Sequence, residues 1–214
     1  MSIRNQFIVA GTIGAAIGAG VGGLNILVSW FQVSAYGSRS LGLLPMLFTL
    51  PLMGAFLAVP PCLILLFFPE TRLWAGRILL TAVMALTVAI PLMPLAGTVR
   101  MRGFHQLASR SAPLVHALAA YTTDHENPPE TLNALIPDYI QKIPSTGMGA
   151  YPAYQYAAGD EARKWNDNPW VLSVETSRGF LNWDRFIYFP MQNYPATGYG
   201  GSLERIGEWA YVHE

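Results

Sequence analysis

The chain has 214 residues, 52% of them hydrophobic and 12% charged, and its 13 basic and 13 acidic side chains cancel to a formal net charge of +0. A soluble domain ordinarily carries roughly 25% charged residues, so the composition excludes an ordinary soluble protein along its whole length. The neutrality is also uneven: between Gln6 and Val99 the only charges are Arg39, Glu70, Arg72 and Arg77, whereas from Ser111 onward twelve acids face six bases. An acidic second half lacks the basic footprint that nucleic acid requires, which excludes that partner. The single cysteine, Cys62, sits in an apolar run and excludes an intrachain disulfide. Buried there, it acts as a small apolar residue.

In chain order, the first predicted element is a membrane span at about 7–31, uncharged and long enough for roughly 30 Å of hydrocarbon. Arg4 before it and Val33-Ser34-Ala35 after it imitate a cleavable signal peptide. Its apolar core exceeds a signal's usual length of about 7–15 residues, so it reads as a retained anchor. A second span at about 41–68 contains Pro45, Pro51, Pro60 and Pro61, each of which frees a backbone carbonyl and predicts kinks. The third, at about 74–99, carries Pro91 and Pro94 near its far end. Short connections at 32–40 and 69–73 predict antiparallel neighbours. Residues 1–99 are thus read as a transmembrane region and 100–214 as a separate domain. The lipid bilayer is the first partner implied.

Along the first span Ala10, Gly14, Gly18 and Gly22 recur every four residues, and Gly11, Gly20 and Gly23 add to the glycine content. Small side chains at that spacing let another backbone approach closely. Two readings stand: a contact with another membrane protein or a second copy, and packing on the chain's own second and third helices. The second is favoured because glycine is common in membrane helices. None of the three spans holds an internal Asp, Glu, Lys or His. Such residues mark ion and proton pathways, so the region reads as an anchor and not as a transporter. Arginine counts on the two sides leave its orientation open.

From Arg100 to Asp124 the residues Phe104, Leu107, Ser111, Leu114, Val115, Leu118 and Tyr121 make one apolar helical face, with Pro113 predicting a kink or restart near Ser111. Pro128 and Pro129 then introduce a short helix at 130–136. Beyond it, turn residues and alternating aromatics predict strands at 153–158, 170–175, 184–189 and 208–213. The fold class expected is therefore three membrane helices followed by an α+β domain, a long helix packed on a small antiparallel sheet.

Three segments carry a resemblance: Leu118-Ala119-Ala120-Tyr121, His125-Glu126-Asn127-Pro128-Pro129-Glu130-Thr131-Leu132, and Leu135-Ile136-Pro137-Asp138-Tyr139-Ile140 with Ile143-Pro144. The stretch from about Leu114 to Tyr156 resembles the domains of major pseudopilins of bacterial type II secretion. That resemblance implies a helix-on-sheet fold, the bacterial inner membrane, and a domain on the periplasmic or extracellular side. The peptidase-site pattern of that family is displaced, since Gly103-Phe104 follows the spans and Ala108 stands where a glutamate is expected. Ser145-Thr146-Gly147 replaces the Asp-Pro-Trp-Gly turn. Processing, fibre assembly and calcium are therefore not implied.

Candidate chemistry is sparse. His105 and His116 share a helix face, with Asp124, His125 and Glu126 at its end, but metal pairs favour closer spacing. Ser173, Ser177 and Ser202 lack a nucleophile motif, and Gly198-Tyr199-Gly200-Gly201 is not a phosphate loop. No catalytic residue, metal ligand or cofactor is assigned. Trp165, Trp170, Tyr194 and Tyr199 stand out as candidate anchors for a protein partner, against a role in the core or at the membrane interface, and the loops at 166–168 and 194–202 are where such contact is expected. The function expected is a non-enzymatic accessory or scaffold subunit of an envelope complex. The alternatives are a metal-dependent or hydrolytic membrane enzyme and a stand-alone envelope protein such as an immunity factor.

Overall fold

A computed structural model describes residues 1–177, 182–196, 199 and 201–213. The chain forms two compact units, Met1–Trp30 with Leu41–Arg100, and Phe31–Ser40 with Met101–Glu214.

The first unit contains helix α1 (Ile3–Gln32), helix α2 (Leu44–Leu65) and the opening part of helix α3 (Arg72–His125). Two helices, α1 and α3, are long and apolar enough to cross a membrane, against the three expected from sequence. The second expected span, 41–68, is trimmed at both ends. Residues Arg39–Leu43 form a 3-10 turn, and the Thr71 hydroxyl accepts the role of C-terminal cap by donating to the Leu65 carbonyl at 2.7 Å. The described apolar stretch of α2 is then Thr49–Leu65. Much of the unit's apolar surface stays uncovered: Phe56, Leu57, Ile64 and Phe67 are each more than 60% exposed.

Pairing within this unit follows the small residues. Arg77 donates to Gln6 at 3.0 Å, and the Thr81 hydroxyl donates to the Ala10 carbonyl at 3.0 Å. A Cβ on Gly14 would collide with the Thr81 carbonyl, one on Gly18 with the Ala85 carbonyl, and one on Gly22 with the Leu92 side chain. Contacts advance together along both helices, so α1 and α3 run parallel, as successive antiparallel neighbours joined by short connections require. Alanine makes the approach possible from the other side, since Ala75, Ala82, Ala85 and Ala89 of α3 are buried. With no bulk between the axes, dispersion contacts and the Thr81 hydrogen bond hold the pair.

The second unit is a five-stranded antiparallel sheet with the second half of α3 on one face. Strands β1 (Gln155–Ala158), β2 (Trp170–Glu175), β3 (Arg185–Tyr188), β4 (Leu203–Ile206) and β5 (Trp209–Val212) lie in the order β1-β2-β3-β5-β4. The predicted helix face is the buried one: Phe104, Leu107, Ser111, Leu114 and Leu118 are all fully enclosed. Their packing carries α3 unbroken through Pro113, whose lost bond and ring clash cost about 3 kcal/mol. The helix expected at 130–136 shrinks to a single 3-10 turn, Leu132–Leu135, anchored by buried Leu135.

Aromatic side chains form the seam between helix and sheet. Phe104 stacks on Phe186 (centroids 5.1 Å), Phe186 on Trp209 (4.8 Å), and Trp170 on Tyr188 (5.6 Å). Register makes this possible, since Phe186 faces Tyr211 and Tyr188 faces Trp209 across β3 and β5. Stacked rings of this kind add about 0.5–1.5 kcal/mol per pair beyond their burial. The opposite sheet face is covered too. Val171, Ile187, Ala210 and Val212 pack under the short helix α4 (Asp160–Arg163) and the loop carrying Tyr194 and Tyr199.

The α1–α3 contact yields a discriminating prediction. Gly14→Leu and Gly18→Leu are expected to destabilise the helix pair by about 1–3 kcal/mol or more, because backbone lies in the way. Gly20→Leu and Gly23→Leu, where an added Cβ meets nothing within 4 Å, should be neutral. Denaturant titration of the detergent-solubilised protein checks this, and equal effects at all four glycines would refute the assigned face.

Candidate functional site

The four aromatic residues singled out from sequence fall in different places. Trp170 is 2% exposed and belongs to the helix-facing core, which removes it from any contact surface. Trp165, Tyr194 and Tyr199 are half-buried on the other sheet face. Tyr194 stacks on Phe189 at 4.6 Å, receives the Phe189 backbone N–H at 2.8 Å and donates toward the Glu208 carbonyl at 2.7 Å. Arg205 lies over its outer ring face at 4.1 Å, so the ring is covered on both sides. Tyr199 meets Trp165 edge to face at 4.9 Å and donates to Asn166 at 3.0 Å. These rings staple the two loops to the sheet.

Asparagines complete that staple. Asn168 is fully buried and donates to the Trp165 carbonyl and to Asn193 Oδ1, both at 2.7 Å, while its own oxygen accepts the Met191 N–H at 3.1 Å. Asn166 donates to the Asn193 carbonyl at 2.7 Å. Asn166 and Asp167 adopt φ of 54° and 58°, a conformation that asparagine and aspartate tolerate better than most residues. The loop at 166–168 is thus an internally satisfied structure. In the loop at 194–202, Thr197, Gly198 and Gly200 lie outside the described residues.

His105 and His116 do share one groove, of about 280 Å³, with Tyr188, Glu208 and Trp209 on its far wall. Eleven residues of helix separate them by about 16 Å along the axis. A single metal ion, with ligands roughly 2 Å away, cannot use both. His125 stacks on Tyr121 at 4.1 Å, and Tyr139 donates to Asp124 at 2.8 Å. Among the described residues, no group of three or more His, Cys, Asp or Glu side chains is placed to hold a metal.

The most organised feature went unrecognised in the sequence. Residues 32–40, read as a short connector, belong with Phe31 to the α+β unit. Val33 enters its core beside Gly103, where a side chain would collide. The Gly149 N–H donates to the Ser34 carbonyl at 2.8 Å, and a Cβ on Gly149 would strike the carbonyls of Ala35 and Gly37. Arg39 pairs with Glu175 at 3.0 Å, and Gln155 reaches the same carboxylate oxygen at 3.5 Å. Together they bound a groove of about 410 Å³ whose floor includes Tyr151 and Ala153. Arg39 and Glu175 are partly exposed, so the pair orients the loop more than it stabilises it. The signal available in sequence was Gly37 and Gly149, each needed for close backbone approach.

A second buried pin lies at the start of β3. Asp184 accepts the Tyr211 hydroxyl and the Asn182 amide, the latter at 2.7 Å, with both Asp184 and Tyr211 enclosed. Charge-assisted bonds of this kind are roughly twice as strong as neutral ones.

Comparison with protein-family models, curated proteins and solved structures finds no match for this chain.

Two predictions follow from this geometry. Gly149→Ala should open the connection at 31–40, seen as new protease cleavage within that segment while the sheet's circular dichroism persists; protection equal to the wild type would count against the clasp. Burial raises the phenol pKa values of Tyr154, Tyr156, Tyr188, Tyr194 and Tyr199 above the usual value near 10. The folded state therefore keeps protons that the unfolded chain releases first. The stabilisation is complete below about pH 10 and is lost as pH rises beyond it. Alkaline titration should show delayed phenolate absorbance that appears together with unfolding; free titration of every tyrosine near pH 10 in a folded protein would contradict it.

Proposed function

We propose that the chain is a membrane-anchored, non-enzymatic scaffold subunit that presents a pseudopilin-like α+β domain outside the cytoplasm, within an envelope complex. The observation that carries this reading is the incorporation of residues 31–40 into the α+β unit. A domain joined to its anchor by one linker is a tethered module. This one receives the chain twice, at 31–40 and again from residue 101.

The same observation supports three crossings. Residues 31–40 and 101–213 share one compact unit and therefore lie on one side of a bilayer crossed by the apolar helices. If α1 and α3 both cross toward that side, consistent with their parallel packing, the chain must return between them. Helix α2 has 22 residues, about 33 Å of helix, of which Thr49–Leu65 is the described apolar stretch. The uncovered apolar side chains of α2 support this placement.

The pseudopilin likeness is supported by one continuous helix whose first half is apolar and whose second half packs on an antiparallel sheet. The segment at 126–156 leads from that helix into β1, in the order the resemblance implies.

Two measurements test the proposal. Protease added to intact spheroplasts should digest the domain beyond residue 101 without access to the N-terminus; protection until the membrane is breached reverses the orientation. Native mass measurement after mild-detergent extraction should give a hetero-assembly with identifiable partners. A lone monomer would defeat the scaffold reading and favour a stand-alone envelope protein.

A further inference from the structure

Helices α1, α2 and the first part of α3 enclose an apolar groove of about 610 Å³ within the first unit. Ile13 and Ile17 of α1, Gly54 and Ala58 of α2, and Ala85 of α3 line its length. One end differs in character. Gln6 is in the first turn of α1, while Trp74 and Arg77 are in the first two turns of α3, and all three reach the groove. Because α1 and α3 run parallel, these residues gather at a single end. Ile17 and Ala85 lie about 12–16 Å further along their helices.

The polar end is also cationic. Arg77 offers five N–H donors, and its bond to Gln6 uses one of them. Arg4, Arg72 and the α-amino group of Met1 stand in or before the same first turns, opposed by Glu70 alone. A cavity that is apolar along its length and cationic at one end complements an amphiphile with an anionic head. Arginine suits a phosphate oxygen through directional, charge-assisted bonds. Tryptophan at the same level suits the boundary between headgroup and hydrocarbon.

We infer that this groove holds one anionic glycerophospholipid, its acyl chain along Ile13, Ile17 and Gly54 and its phosphate on the Arg77 guanidinium. The lipid covers apolar helix surface on three sides and neutralises the arginine end of the anchor. This inference rests on the membrane reading above.

The test uses the full-length chain extracted in mild detergent. Phosphatidylglycerol and phosphatidylcholine of identical acyl chains are titrated in, and binding is followed by native mass spectrometry. Wild type should retain one phosphatidylglycerol in preference to phosphatidylcholine. Arg77→Gln should weaken phosphatidylglycerol binding by about tenfold and abolish the preference, as expected for losing a charged hydrogen-bond partner. Arg77→Lys should recover part of it. Gly54→Leu places a side chain where a Cβ meets nothing within 4 Å, so it should fill the groove and exclude both lipids without loss of helical signal. Equal retention of the two lipids by wild type, or undiminished binding in the Gly54→Leu protein, overturns the site. So does a co-purifying polypeptide, in place of lipid, that Gly54→Leu displaces. Alkaline carbonate extraction separates the two failures: a chain released from membranes refutes the membrane reading itself, whereas a retained chain lacking selectivity refutes only the lipid site.

Discussion

The backbone hydrogen bond from Gly149 to the Ser34 carbonyl, made where no side chain intervenes, is the contact on which the organisation of this chain depends. It draws the connection between α1 and α2 into the α+β unit, with Val33 seated in the core and Arg39 turned toward Glu175. A connector held this way cannot drift. The chain passes between its two units three times, at 30–31, 40–41 and 100–101.

Within each unit the sequence uses a different device for close packing. The apolar unit removes bulk: Gly14 and Gly18 meet the carbonyls of Thr81 and Ala85, and Gly22 meets the Leu92 side chain. The α+β unit adds bulk. Phe104, Phe186, Trp209, Tyr188 and Trp170 form a continuous aromatic seam, and water is displaced by large rings with matched register. Exclusion of water drives packing in an aqueous domain and gives little between helices in lipid. On the far sheet face, Asn166, Asn168 and Asn193 hydrogen-bond one another and the loop backbone.

Such construction bears on where function resides. Loops rich in Asn, Tyr and Gly look like recognition surfaces, yet here they are spent on closing the second sheet face. What remains available is the groove bounded by Arg39 and Glu175, and the cationic end of the helical groove at Arg77. The second is built from the apolar half and the first takes Gly37, Ser38 and Arg39 from its connector, a region that composition alone marks as mere anchor.

Local pattern determined a good deal. Apolar length set α1 and α3, the three- and four-residue spacing set the buried face at Phe104, Leu107, Leu114 and Leu118, and β2 was legible to its ends because six consecutive residues suit a strand. Strand β4 escaped notice since Leu203-Glu204-Arg205-Ile206 is short, charged and at a sheet edge, where half its side chains need no burial. Helix α4 is four residues long and has no period to read. The fate of Trp170 and the capture of residues 31–40 were decided by tertiary structure alone. The capture rests on the Gly149–Ser34 hydrogen bond, between residues 115 positions apart. A glycine announces that something comes close; which backbone arrives is settled only when the distant segment has folded against it.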